Sequence, residues 1–147
     1  MSKTVYKTRR RARALALQAL YEVDTVNHPA EQVIVRLLED AGFPEDKAIF
    51  ARELVQGVIG HMPEIDSSIK QYAPAWPVSQ IPAIDRNILR LAIFEILLDN
   101  KIPVRIVINE AVELAKSFGS DSTPKFINGV LGSVVTHLKD NQAVETK

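Results

Sequence analysis

The chain has 147 residues, 18 basic and 18 acidic, with 46% hydrophobic residues and no cysteine. A chain of this length buries roughly 68–70% of its unfolded surface, so it is expected to fold as one domain without metal or disulfide. The lack of cysteine excludes disulfides, thiolate metal centres and cysteine nucleophiles and fits a reducing, cytoplasmic setting, and charges break the apolar runs well short of the ~18 residues a membrane span needs.

The charge is unevenly placed. Lys3, Lys7, Arg9, Arg10, Arg11 and Arg13 all precede the first carboxylate, Glu22, so the other 134 residues hold 12 basic groups against 18 acidic ones. A neutral chain with its positive charge gathered at one end suits a polyanion at that end. An arginine-rich amphipathic start also fits a mitochondrial presequence, but Ser and Thr are sparse and the helical pattern continues to Val23.

Each long segment then reads with a helical period. Ala12, Leu15, Ala16, Ala19, Leu20 and Val23 form one face of a first helix beginning near Arg9. A second runs from Pro29 to Gly42 on Val33, Ile34, Leu37, Leu38 and Ala41. A third follows Pro44, with Glu45 and Asp46 in its first turn where the helix dipole favours them, and a stripe of Ala51, Leu54, Val55, Val58 and Met62. A short helix from Pro63 presents Ile65, Ile69 and Tyr72.

The segment PAWPVSQIP interrupts the pattern, because no helix survives three prolines at that density. It is read as the joint between halves at 1–73 and 83–140, with Trp76 as a packing wedge. Beyond it, Ile84 to Leu98 is apolar on nearly every side, which marks a central buried helix. Another opens at Pro103 on Val104, Val107, Ile108, Ala111, Leu114 and Phe118, and stops at Gly119. The last opens at Pro124 on Ile127, Val130, Leu131, Val134 and Leu138. Gly129 and Gly132 lie within it, where each costs about 1 kcal/mol against Ala, so close approach of another backbone is expected. The whole chain reads as all-α.

The basic arm is the strongest functional signal. Arg9 and Arg13 share a helix face, with Arg10 and Arg11 to either side. Guanidinium groups fork onto phosphates and stack on unpaired bases. Clustered at a helix start they repel one another and the positive dipole end, a cost that a bound anion relieves. Glu95 falls on the buried face of the central helix and is read as a hydrogen-bonded core carboxylate. Arg86 and Arg90, with Asp85 beside them, are placed on that helix as surface or partner contacts. Asn109, Glu110 and Glu113 read as a solvated face, with Glu113 pairing to Lys116. His28, His61 and His137 lack ligand spacing, and no phosphate-binding, nucleophile-elbow or metalloprotease motif occurs, so no metal, no cofactor and no catalytic residue is expected.

The segments RRRARALALQALYEVD (Arg9 to Asp24), ELVQGV (Glu53 to Val58), IDRNILRLAIFEIL (Ile84 to Leu97), IPVRIVINEAVELAKSFG (Ile102 to Gly119) and KFINGVL (Lys125 to Leu131) resemble the NusB family of bacterial transcription antitermination factors, in order and over nearly the whole chain. The resemblance implies a single RNA-binding domain of two packed three-helix bundles, about seven helices in all. It implies binding of boxA leader RNA together with NusE, a small-subunit ribosomal protein, and assembly with NusA and NusG on RNA polymerase for processive transcription of ribosomal RNA operons. The family's RNA contacts correspond to the basic start, Lys3, Lys7, Arg9, Arg10, Arg11 and Arg13, and to Ser122 and Lys125 in the turn before the last helix, where Pro124 departs from the polar residue that relatives often carry. Tyr21 and Asp85, with Arg86 alongside, correspond to the NusE surface. Two rival readings are the RNA-targeting module of an rRNA methyltransferase, against which the chain is expected to be free-standing, and a scaffold that binds only proteins. Self-association into a homodimer through the basic face is left open.

Overall fold

The computed structural model describes the backbone of residues 3–145 and the side chains of residues 7–140. Among these the chain is helical throughout, without strands: α1 Lys3–Val26, α2 Ala30–Asp40, α3 Glu45–Gly60, α4 Met62–Tyr72, α5 Ala83–Ile93 continuing as a π-helical turn Phe94–Asp99, α6 Val104–Phe118 and α7 Thr123–Glu145. A single 3₁₀ turn, Val78–Gln80, lies in the proline-rich segment. Among the described residues no helix is long and apolar enough to cross a membrane.

Two compact units make up the chain, one ending at Met62 and the other beginning at Pro63. In the first, α1, α2 and α3 pack on one another as a three-helix bundle. Its core is Ala12, Ala16, Leu17, Ala19 and Leu20 of α1, Val33, Ile34 and Leu38 of α2, and Ala51, Leu54, Val55 and Val58 of α3. Ion pairs lace its outside, Glu22 with Arg36 and Glu31 with Arg52, and Gln56 Nε2 donates a hydrogen bond to Glu31. The two donors to Glu22, Arg36 and then His28, hold its carboxyl below the usual carboxylate range. α1 stops where Asn27 turns left-handed (φ 64°), and the turn after α2 does the same at Gly42 (φ 63°), a region where glycine carries no steric penalty.

In the second unit α5, α6 and α7 also pack on one another. Ile88 to Ile96 of α5 and its π turn are buried without a break, as a helix apolar on all sides requires. The π turn closes with the Asn100 amide donating to the Glu95 carbonyl at 3.0 Å, and Asn100 takes φ 52°. Glu95 is buried there, and no buried side-chain N or O atom among the described residues lacks a hydrogen-bond partner.

The two units divide at Met62–Pro63, in the first turn of α4, and not in the segment 74–82. The reason is polar. Arg90 is not a surface residue: it is buried, and its Nε and Nη2 donate to the two carboxylate oxygens of Asp66 on α4 at 2.9 and 3.0 Å, while Nη1 donates to Asn87 at 3.2 Å. Tyr72 of α4 meets the His137 ring of α7 edge-on, centroids 5.6 Å apart. These contacts commit α4 to the second unit. Trp76 is no buried wedge either, being 53% exposed. The proline-rich segment is anchored by buried Ala73 and Ile81, and by Arg86, whose Nη1 donates to the carbonyls of Val78, Ser79 and Ile81.

Two further expectations are corrected. Glu110 is buried rather than solvated, since it shares the i, i+3, i+4, i+7 face of Val107, Ala111 and Leu114. Gly129 and Gly132 meet no close backbone: a Cβ at either would find nothing within 4 Å. Both are exposed, on an open groove of about 630 Å³ beside Tyr72 and His137.

Removing one partner of a buried ion pair strands the other charge, at a typical loss of about 3 kcal/mol. Asp66→Ala is accordingly expected to lower unfolding free energy by about that amount, as read from urea denaturation followed by helical circular dichroism.

Candidate nucleic-acid interface

The basic start of α1 lies within a continuous helix, so the side chains of residues 7–13 are projected at helical spacing. Lys3 is in the first turn of that helix, and its side chain falls outside the described residues. Lys7, Arg10 and Arg11 are exposed, and Arg9 is half-buried. Arg13 is only 4% exposed, because it sits among Ala16, Leu17 and Leu20 on the buried face. It is thus a core cation rather than a solvent-facing contact.

Two phenylalanines organise this row. The guanidinium carbons of Arg9 and Arg13 lie 4.9 and 5.2 Å from the ring centroid of Phe50 on α3. That of Arg11 lies 5.3 Å from the ring of Phe43, in the turn before α3. The helix begins at Lys3 rather than near Arg9, so the arginines lie beyond its first turn; cations over aromatic faces gain about 0.5–2 kcal/mol each, which offsets their mutual repulsion. Arg36, Arg52 and Arg90 spend their charge on carboxylates. Arg9 and Arg11 have no hydrogen-bond or ion-pair partner among the described residues. Neither phenylalanine was singled out from sequence. The only signal was Phe50 standing one residue before the Ala51, Leu54, Val55, Val58 stripe, at its edge.

In the second unit, the turn between α6 and α7 is organised by Thr123. Its side chain is fully buried, accepts the Ser120 amide at 2.9 Å and donates to Asp85 at 3.0 Å. A Cβ at Gly119 would lie 2.5 Å from the Thr123 Cβ, so the turn needs glycine for space rather than for backbone angle. Ser122 and Lys125 stand exposed on this turn, with the Ser120 and Ser122 hydroxyls 3.2 Å apart. Pro124 occupies the first turn of α7, where its missing amide hydrogen costs nothing.

The residues expected at a partner surface separate into three cases. Tyr21 is 41% exposed. Arg86 is half-buried and donates to the three carbonyls described above. Asp85 is 7% exposed and bonded to Thr123, so it braces the α6–α7 turn rather than facing solvent. Among the described residues, no three of His, Asp and Glu converge as metal ligands.

Fold and site together define a small all-helical protein with a row of ring-mounted cations on its first helix. The NusB family profile matches residues 10–136, and the chain belongs to the NusB family. It is 52% identical over 133 residues to the transcription antitermination protein NusB of Dehalococcoides mccartyi, covering 90% of this chain and 93% of that protein. It is 48% identical over 134 residues to the protein of the same name from Roseiflexus castenholzii, covering 90% and 94%. A chain in a solved complex of antitermination factors NusB and NusE with dsRNA shares the fold at a TM-score of 0.82, with 26% identity over 89% of this chain and 98% of that one.

Burial pushes the Asp85 carboxyl above its ordinary range, against the lowering effect of hydrogen bonds from Thr123 and from its own backbone amide. Between the unfolded and folded pKa values the native state holds more protons, so stability falls as pH rises through that window. The stability of the wild type relative to Asp85→Asn is expected to fall over that interval and then level off, as followed by chemical denaturation at successive pH values. Asp85→Lys would bury a cation against Thr123, so a loss of partner binding in that variant reports misfolding of the turn.

Proposed function

We propose that this protein is a transcription antitermination factor that binds boxA leader RNA together with NusE and joins NusA and NusG on RNA polymerase, keeping ribosomal RNA operon transcription processive. Family membership supports the class. The observation that carries RNA binding is the pair of guanidiniums, Arg9 and Arg11, that have no hydrogen-bond or ion-pair partner among the described residues, on a helix that also presents Lys7 and Arg10. A solved relative of the same fold holds NusB, NusE and dsRNA together, which supports both kinds of partner.

Lys7, Arg9, Arg10 and Arg11 are assigned to phosphates, with Ser122 and Lys125 as a second set of contacts. Arg13 is assigned to holding the row rather than touching RNA. Tyr21 is the residue assigned to NusE, because an exposed aromatic on a packed helix is a ready anchor, whereas Asp85 is turned inward. The protein works by binding, in the cytoplasm, without chemistry of its own.

Each phosphate neutralised on a single strand contributes about −0.7 to the slope of log affinity against log salt, so the four cations of α1 alone contribute about −3. Filter binding of leader RNA across salt concentrations tests this. The combined Arg9→Ala, Arg10→Ala and Arg11→Ala variant is expected to bind more weakly, with a slope near −1 and unchanged helicity. An unaltered slope in that variant rejects the assignment. Tyr21→Ala is expected to weaken NusE binding by about 2 kcal/mol in calorimetric titration while leaving the RNA affinity of the isolated protein unchanged.

A further inference from the structure

The cations of α1 are not equivalent. Arg9 shares the Phe50 ring with Arg13 and is half-buried, whereas Arg11 alone occupies the Phe43 ring and is exposed. Phe43 itself is 8% exposed, and its amide donates to the Leu38 carbonyl at 3.0 Å across the Gly42 turn. The ring is therefore held by the fold, and the Arg11 guanidinium carbon lies over it in a side chain that is exposed. No carboxylate or carbonyl among the described residues engages that guanidinium.

An exposed planar cation seated over an aromatic ring offers more than charge. Guanidinium planes and aromatic rings are the surfaces on which unstacked bases of single-stranded RNA come to rest. A freely rotating arginine loses much conformational freedom when it stacks, and one already seated on a ring loses less. We propose that Arg11, mounted on Phe43, is a stacking seat for one unpaired nucleobase, and that Phe43 is the residue positioning it. The proposal rests on the RNA-binding reading above and goes beyond it by dividing the row: Lys7, Arg9 and Arg10 contact phosphates only, whereas Arg11, beside its phosphate contact, also takes a base on its plane. Such a seat discriminates an unpaired strand from a duplex, whose bases are already stacked, which a row of phosphate contacts cannot do.

Arg11→Lys keeps the charge, removes the plane and leaves the core untouched. Its affinity for single-stranded boxA leader RNA is measured by filter binding with NusE present, across salt concentrations, alongside a series of the same RNA made abasic at one nucleotide at a time. On intact RNA the variant is expected to lose about tenfold in affinity with an unchanged salt slope. One abasic position should cost the wild type about the same factor and cost Arg11→Lys nothing further, which identifies the seated nucleotide. On duplex RNA of the same sequence the two proteins should bind alike. Phe43→Leu, confirmed as folded by circular dichroism, should reproduce the loss on intact RNA.

Wild-type affinity of Arg11→Lys for intact RNA overturns the seat. So does an equal loss on intact and on every abasic RNA, which would make Arg11 a phosphate or protein contact. Unaltered RNA binding by Arg11→Lys combined with weakened binding of NusE alone assigns the residue to the protein partner and likewise rejects the proposal. If the wild type bound no leader RNA, with or without NusE, the functional reading would fall and the seat with it. If the wild type bound with the expected salt slope, only the seat would be at stake.

Discussion

The cation–aromatic contacts between α1 and α3 are what allow this molecule to keep its charge where it does. A helix segment crowded with arginines repels itself, and carboxylates one turn away would be the ordinary remedy. α1 has none there. Arg9 and Arg13 instead bracket the Phe50 ring, and Arg11 rests on Phe43. Rings stabilise cations without neutralising them. An ion pair would have offset the repulsion equally well, and it would also have consumed the donors that a polyanion needs. The aromatic contacts leave the donors of Arg9 and Arg11 without a partner among the described residues, and Arg11 is exposed.

The second unit solves a different problem, that of committing polar groups inside a helical core. Arg90, Asp66 and Asn87 form one network, and Asp85, Thr123 and Ser120 form another. The first assigns α4 to this unit. The second sets the conformation of the α6–α7 turn, on which Ser122 and Lys125 are displayed. Each group is directional, so each network selects one arrangement among the many that a uniformly apolar interface between helices tolerates. Asp85 shows the strain in this scheme, because the buried carboxyl that braces the turn titrates upward as a result. The turn is held at some cost to the fold, and Gly119, which no larger residue can replace without meeting Thr123, belongs to the same bargain.

The helices were legible in the sequence because hydrophobic period and proline placement act locally. Pro29, Pro44, Pro82 and Pro103 each stand immediately before a helix, and Asn27 and Asn100 take the left-handed angle past helix ends. The partner of a charge is another matter, since it depends on which helices meet. Arg90 and Asp66 are 24 residues apart, and Asp85 and Thr123 are 38 apart. No periodicity within one helix reports such a pair, so all four were read as surface or went unread. Arg13 was readable. It falls at i, i+3, i+4 and i+7 with Ala16, Leu17 and Leu20, and membership of a basic run obscured its membership of that face. The proline-rich segment misled for a related reason: three prolines end helices, but breaking a helix does not divide a fold when Asp66 reaches across to Arg90.

Charge and sequence choice call for different hardware, and the first helix contains both. Contacts to phosphate set affinity and its salt dependence, and they are indifferent to which bases lie between. A protein that relied on them alone would occupy any transcript. Selectivity for an unpaired strand requires a surface that becomes occupied only when a base is free to leave its neighbours, and that surface must be ordered beforehand or its entropy loss cancels the gain. Arg11 meets both conditions through Phe43, whose own order comes from the Gly42 turn and the core beneath it. The chain of dependence thus runs from a left-handed glycine, through a buried ring, to an exposed plane, and packing in the bundle becomes readiness at its surface.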